Sequence, residues 1–337
     1  MSYKKMNKPL YRNREKIKKI IEATGISRSE LARRLEVGYK TVYRWLDLGV
    51  IPHPAQAKDI DQLFKEFVDL RQVVLIYRQK IKTPLRILTG NTTLREKFFL
   101  EMTYHSNAIE GSRMTLKETE AAFEGKKVRG KEIFEILEAV NHKNALEFLF
   151  ETVRPNFRID QKYILKLHEI VMYNFNNKLP GKYRTGYVNL TNTDKKLPTA
   201  QEVPLRMGKF LKNINFYGGD PIGKIARDHY EFETIHPFFD GNGRVGRLIL
   251  VTQLLSKGFA PAIIRIEDRY NYYLALGKAD FGDYKNETSE KPLNRNKKGQ
   301  SPFGDSPFFR QKTDFFRGLK NIVQMICDAI IEGYRLF

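Results

Sequence analysis

Along nearly the whole chain, apolar residues recur at intervals of three and four, and glycine or proline ends most of the runs. That period lays one apolar face along each segment and commits the chain to a mainly α fold. Helices are predicted over residues 94–105, 116–124, 132–152, 161–176, 203–213, 222–235, 243–257, 270–279 and 315–336. One stretch breaks the pattern. Between Pro180 and Thr199, glycines at 181 and 186 precede Tyr187-Val188-Asn189-Leu190, which predicts a short β-hairpin. Residues 284–306 are polar and rich in Asn, Lys, Gly and Ser, and read as a loop or insertion.

Three short helical runs open the chain. Ile17, Ile20 and Ile21 stop at Gly25; Ser27 then caps a run carrying Leu31, Ala32 and Leu35 that ends near Gly38. The third run holds Thr41, Val42, Trp45 and Leu46 and closes at Gly49 with Pro52 and Pro54. Three short helices with a tight glycine-containing turn before the third make a helix-turn-helix pattern. Residues 1–57 are therefore read as a small helix-turn-helix module, 58–84 as a helical connector and 85–337 as the main domain. Val42, Trp45 and Leu46 suit a buried face of the third helix, leaving Lys40, Thr41, Tyr43 and Arg44 as candidate DNA contacts. Residues 1–60 carry 14 Lys and Arg against six Asp and Glu, and the whole chain has a net charge of +20. Such a surplus suits phosphate contacts. A generally lysine-rich surface and a helical module for protein contact are the competing readings. If the module binds DNA, two copies are expected, because such modules usually read paired half-sites, and a homodimer would supply them.

Other classes are excluded. No run of about 18 apolar residues exists, so no membrane partner is expected. The first ten residues hold three lysines but no apolar stretch after them, unlike a secretory signal. The single cysteine, Cys327, permits neither a disulfide framework nor a cysteine-built metal site. These features favour the cytoplasm. No G-x-x-x-x-G-K-[ST] string occurs, which disfavours a P-loop kinase.

The densest chemistry lies in His236-Pro237-Phe238-Phe239-Asp240-Gly241-Asn242-Gly243-Arg244-Val245-Gly246-Arg247. Val245, Leu248, Ile249 and Leu255 predict a buried helix directly after the glycines. Gly241 and Gly243 then stand at a helix N-terminus, where unpaired N–H groups and the positive end of the dipole favour an anion. Arg244 and Arg247, three apart, are neighbours on one face and suit further phosphate oxygens. Asp240 supplies a hard oxygen ligand of the kind Mg²⁺ takes together with phosphates. His236 is able to accept a proton near neutral pH. A base, a metal carboxylate, an anion cradle and two cations together equip a site for attack on a nucleoside triphosphate.

This string resembles the signature of the Fic family, with every signature position filled. The resemblance, which extends over roughly residues 85–283, implies a helical Fic core with a β-hairpin flap. It also implies a protein adenylyltransferase that moves AMP from Mg·ATP to a Tyr, Thr or Ser hydroxyl of a target protein, or of the chain itself. It makes His236 the general base and Asp240 the Mg²⁺ ligand. Gly241, Asn242 and Gly243 become the phosphate cradle, and Arg244 and Arg247 hold the remaining phosphates, Arg247 the γ-phosphate. The related Doc kinases carry Lys in place of the second glycine, so Gly243 favours transfer of AMP. Pro180-Gly181-Lys182-Tyr183-Arg184 with Tyr187-Val188-Asn189-Leu190 looks like the family's flap, able to align a target segment by main-chain pairing. Leu190 and Thr191 on that flap, and Tyr272 downstream, would border the nucleotide; core packing is the other reading of Tyr272. An Asn that the family commonly has eight residues beyond that tyrosine is Asp280 here, which bears on base selectivity. Transfer of another nucleotide stays open, as does a DNA-binding regulator with a dormant or self-modifying Fic core.

Upstream, Ser106-Asn107-Ala108-Ile109-Glu110-Gly111 places Ser106 and Glu110 on one helical face. On its own such a pair is ordinary helix surface. It also resembles the family's inhibitory motif, which implies an N-terminal inhibitory helix near residues 103–111 whose Glu110 pairs with Arg247.

Overall fold

The structure is a computed structural model that describes residues 10–189, 196–283 and 319–337. Fifteen α-helices and two short 3-10 turns are present among them, and no strand. The mainly helical expectation holds. Residues 182–189 and 196–199 of the expected hairpin are bend and coil; 190–195, with Leu190 and Thr191, lie outside the described residues, as does the 284–306 insertion. No helix among the described residues is long and apolar enough to cross a membrane.

The chain opens with α1 (Asn13–Thr24), α2 (Arg28–Arg34) and α3 (Tyr39–Leu46). Ser27 caps α2 by accepting the Glu30 N–H at 3.1 Å. Leu31, Ala32, Leu35, Val42, Trp45 and Leu46 are all buried, so α2 and α3 share one small core. The turn between them differs in detail from the sequence reading. Gly38 has an ordinary φ of −69° as the N-cap of α3, and the left-handed step is taken by Glu36, with φ 52°.

The predicted connector is not one long helix. It divides into α4 (Pro54–Phe67) and α5 (Leu70–Lys80) at Val68 and Asp69. Asp69 caps α5 through the Arg71 N–H. The break is held from outside: Gln324 donates to the Lys65 and Val68 carbonyls and accepts the Leu70 N–H at 3.1 Å. An amphipathic period alone cannot register a partner more than 250 positions away. Helix α4 packs against α1, while α5 packs against α15 (Lys320–Tyr334), which carries Gln324.

The remaining helices are α6 (Pro84–Gly90), α7 (Thr92–Glu110), α8 (Leu116–Phe123), α9 (Ile133–Thr152), α10 (Gln161–Val171), α11 (Val203–Asn213), α12 (Pro221–Ile235), α13 (Asn242–Ser256) and α14 (Arg269–Asp283). All residues of α13 except Gly243 are buried, and α7, α9, α10 and α12 surround it. A helix apolar around most of its circumference belongs at the centre of a bundle, so the predicted anion site sits at the mouth of the core. On the far side, a Cβ at Gly333 of α15 would overlap the Pro261 backbone. Backbone cannot yield as a side-chain tip can. Gly333→Ala is expected to cost about 2–3 kcal/mol by the usual range for overpacking; unchanged urea unfolding would contradict this close approach.

Candidate active site

Helix α12 ends at His236, which adopts the left-handed region with φ 48° and closes the helix through its N–H to the Phe232 carbonyl. That reversal carries the chain through Pro237–Asp240 into Gly241, also left-handed at φ 75°, and on into α13. Gly241 lies so close to α10 that a Cβ would stand 2.8 Å from Met172 Sδ. Val245 is the first residue of α13 whose N–H meets a helix carbonyl, that of Gly241, at 2.9 Å. The N–H groups of Asn242, Gly243 and Arg244 therefore have no intrahelical acceptor, as at any helix start.

Asp240 is half exposed. Its Oδ1 accepts from the Gly241 N–H at 2.6 Å and from Arg244 Nη2 at 3.1 Å, while Oδ2 lies 3.9 Å from Lys178 Nζ. The His236 imidazole is pulled down to about 4, chiefly by burial; its hydrogen bond to the Glu233 backbone opposes this, and the Arg184 charge adds to it. The ring is thus a neutral proton acceptor throughout the physiological range.

The two arginines of the motif do different things. Arg247, 2% exposed, donates from Nε to Ser106 Oγ at 2.9 Å, and from Nη2 to the Ser106 carbonyl at 2.8 Å and to Glu110 Oε1 at 2.7 Å. A Cβ at Gly243 would overlap Glu110 Oε1, so the glycine leaves room for this carboxylate over the turn. Arg244 is equally buried but points beneath the turn, pinned between Asp240 and Glu138 Oε1, the latter at 2.9 Å. Beside the expected role of phosphate clamp, Arg244 in this structure orients the Asp240 carboxylate. Asn242 stands in the turn, and its side chain is turned away from the cradle. Its amide is consumed by the loop, accepting the Phe238 N–H and donating to the Phe238 carbonyl, both at 2.9 Å. It offers the turn its backbone N–H only.

Tyr272 is 1% exposed and bonded through its hydroxyl to His229 Nε2 at 2.8 Å, so core packing describes it. Its neighbour Tyr273 is the one that reaches the Ser106–Glu110 helix, donating to the Ile109 carbonyl at 3.4 Å. Lys40, Tyr43 and Arg44 are exposed on α3, and Thr41 partly so, far along the chain from this cluster.

Three further residues shape the site without a signal in the sequence, and a fourth, Arg184, is marked there only as the end of the flap string. Arg184 is buried with no carboxylate partner among its hydrogen bonds. It donates to the carbonyls of His236 (2.8 Å), Gly186 (3.1 Å) and Pro198 (2.5 Å). His168 of α10 touches both Gly181 and Asp240. Glu138 of α9 anchors Arg244. Glu233 of α12 packs on Gly246, and burial lifts its carboxyl to about 8, making it neutral at pH 7. Each sits on a helix or turn face that reads as ordinary, and only Glu138, paired with Arg244, belongs to a conventional side-chain ion pair.

Residues 158–254 match the model of the Fic/DOC family. The chain is 33% identical to a protein adenylyltransferase Fic of Nematostella vectensis over 235 residues, covering 68% of this chain and 53% of that protein. It is 36% identical to a protein adenylyltransferase fic-1 of Caenorhabditis briggsae over 197 residues, covering 56% of this chain and 38% of the relative. The chain thus spans about half or less of the curated relatives it matches. In three dimensions it resembles a Fic domain containing signaling protein from Bacteroides thetaiotaomicron, with a TM-score of 0.62 at 21% identity. That likeness covers 79% of this chain and 94% of the other. Fic-1 from C. elegans gives a TM-score of 0.56 at 23% identity, covering 91% and 83%. At these identities the structural likeness bears on the fold.

Proposed function

We propose that this chain, which carries a Fic/DOC family domain at residues 158–254, transfers AMP from ATP to a hydroxyl side chain of a protein and is restrained by Glu110. One observation carries the reading. A neutral imidazole at the end of α12, a carboxylate and the open N–H groups of α13 belong to one turn, while a buried arginine beside it is held by a carboxylate from another helix. The curated relatives named protein adenylyltransferases support the same activity.

In this reading the triphosphate lies over Gly241–Arg244, where backbone N–H groups and the helix dipole meet its charge. Asp240 suits a magnesium ion: it is a single hard carboxylate, half exposed, whose Oδ2 meets only a distant lysine. Mg²⁺ so held would neutralise phosphate charge. Arg244 keeps the Asp240 carboxylate turned toward the site. The target hydroxyl gives its proton to His236 as its oxygen attacks the α-phosphorus; the bond to the bridging oxygen breaks and pyrophosphate leaves. Arg247 is the cation for the γ-phosphate, and Glu110 stands in its place when the brake is on.

The depressed imidazole makes a distinct pH prediction. A base of ordinary pKa would be half lost near pH 6.5, whereas one at about 4 stays unprotonated well below that. In Glu110→Gly, which also removes an anion that raises this imidazole, kcat/KM for ATP should stay level from pH 7.5 to 5.5, since that parameter reports groups of the free enzyme. A fall centred near 6.5 would count against the depressed imidazole and leave a base of ordinary pKa in its place.

The exposed Lys40, Tyr43 and Arg44 on α3 support a second reading for the amino-terminal module alone, that of a DNA contact made by a pair of chains. It is compatible with transfer and separable from it.

A further inference from the structure

We infer that His168 is a positioning residue that ties the root of the flap to the phosphate turn, so that the target side and the nucleotide side of the site share one anchor. The inference rests on the proposed function in treating the turn as the seat of the nucleotide and the segment from Gly181 as the target side.

The imidazole is wholly buried on α10 and lies flat against Phe238, with ring centroids 3.7 Å apart and planes 4° apart. Gly181 donates its N–H to Nδ1 at 2.9 Å. A nitrogen that accepts carries no proton, so the neutral ring bears its hydrogen on Nε2. That nitrogen stands 3.1 Å from the Asp240 carbonyl, which is able only to accept. One rigid ring therefore supplies an acceptor to the flap root and a donor to the turn. Asparagine or glutamine fills one of these positions but cannot span both.

The two peptides it holds matter for different reasons. The Asp240 carbonyl belongs to the peptide that leads into left-handed Gly241, so its direction sets the aim of the N–H groups that follow. Gly181, also left-handed at φ 71°, opens the segment that Arg184 continues. Arg184 separately fastens that segment to the Pro237 carbonyl through its N–H at 2.9 Å and to the His236 carbonyl through its side chain. The flap root is thus sewn down at two points, one beside the base and one beside the phosphate turn. His168 makes the second. It does not reach the reacting atoms; it acts through backbone.

The test uses two amide variants in the full chain carrying Glu110→Gly. In His168→Asn the amide oxygen replaces Nδ1 and keeps Gly181, while the bond to Asp240 is lost. In His168→Gln the amide nitrogen replaces Nε2 and keeps Asp240, while the bond to Gly181 is lost. Binding of a fluorescent ATP analogue with Mg²⁺ should weaken about tenfold in His168→Asn, the worth of one well-placed hydrogen bond, and stay within twofold of the parent in His168→Gln. Amide exchange over residues 179–184 should accelerate in His168→Gln and hold in His168→Asn. Equal shifts in both variants, or none in either, would mean that the ring merely fills space and would overturn the inference. A measurement on the unaltered chain guards against misfolded variants: the Gly181 amide must exchange far more slowly than an open turn, and exchange at turn rates overturns the inference too. If the Glu110→Gly parent binds no nucleotide, the functional reading falls, while the exchange results still decide the anchor.

Discussion

Glu110→Gly is expected to incorporate AMP roughly a hundredfold faster than the unaltered chain when both are given labelled ATP and Mg²⁺, whether the acceptor is another protein or the chain itself. The size follows from the contact removed. Arg247 is almost fully buried, and its hydrogen bond to Glu110 at 2.7 Å joins two full charges. Such a bond contributes about 1.5–3 kcal/mol, or up to about a hundredfold in rate if ATP must displace it. The carboxylate is a third exposed at the end of α7, so a competing anion is able to reach the arginine. Its removal leaves Arg247 on Ser106 alone, and an unpaired buried cation is costly. The variant should therefore melt at a lower temperature than the parent and recover more of that loss on adding Mg·ATP. Intact-mass analysis identifies the transferred group, and a digest locates its acceptor. Equal labelling of the two proteins would dispose of the brake.

His236→Ala, in the same activated background, loses AMP incorporation by about 10²–10⁴-fold, the usual contribution of a positioned general base. A structural objection has to be met, because His236 occupies the left-handed region at φ 48°. Alanine there costs about 1–2 kcal/mol, whereas asparagine visits that region more readily. His236→Asn is thus the companion variant: it should be as inactive as the alanine and melt closer to the parent. Both should bind duplex DNA as the parent does if α3 is a DNA contact. Lys40→Ala with Arg44→Ala should weaken that binding and flatten its salt dependence by about two phosphate contacts, while transfer continues. Transfer at the parent rate by His236→Ala would remove the imidazole from the mechanism.

The catalytic string was legible because its parts are local. His236, Asp240, the glycines and the start of α13 lie within eight residues, and a helix start orients its own N–H groups whatever packs around it. The pairing of Glu110 with Arg247 spans 137 positions and was read only through resemblance to a family motif; in the structure the two side chains meet. The side chains of Asn242 and Arg244 make contacts in the structure that their spacing does not indicate. Their bonds go to the Phe238 backbone and to Glu138, and spacing along one helix says nothing of what lies beneath it. The sequence leaves Tyr272 between pocket and core, and in the structure it is buried and bonded to His229.

The sequence by itself determined the helical class, the turn at residues 236–243 and the chemical kinds of group gathered there, because periodicity, capping and left-handed glycine act over a few residues. Only the tertiary structure decided that α4 and α5 part at a glutamine from the last helix, that Arg244 faces inward while Arg247 meets Glu110, and that His168 and Arg184 stitch one loop to another. Those outcomes depend on backbone carbonyls and distant helices brought within about 3 Å by packing, and a backbone carbonyl looks the same at every position of a sequence.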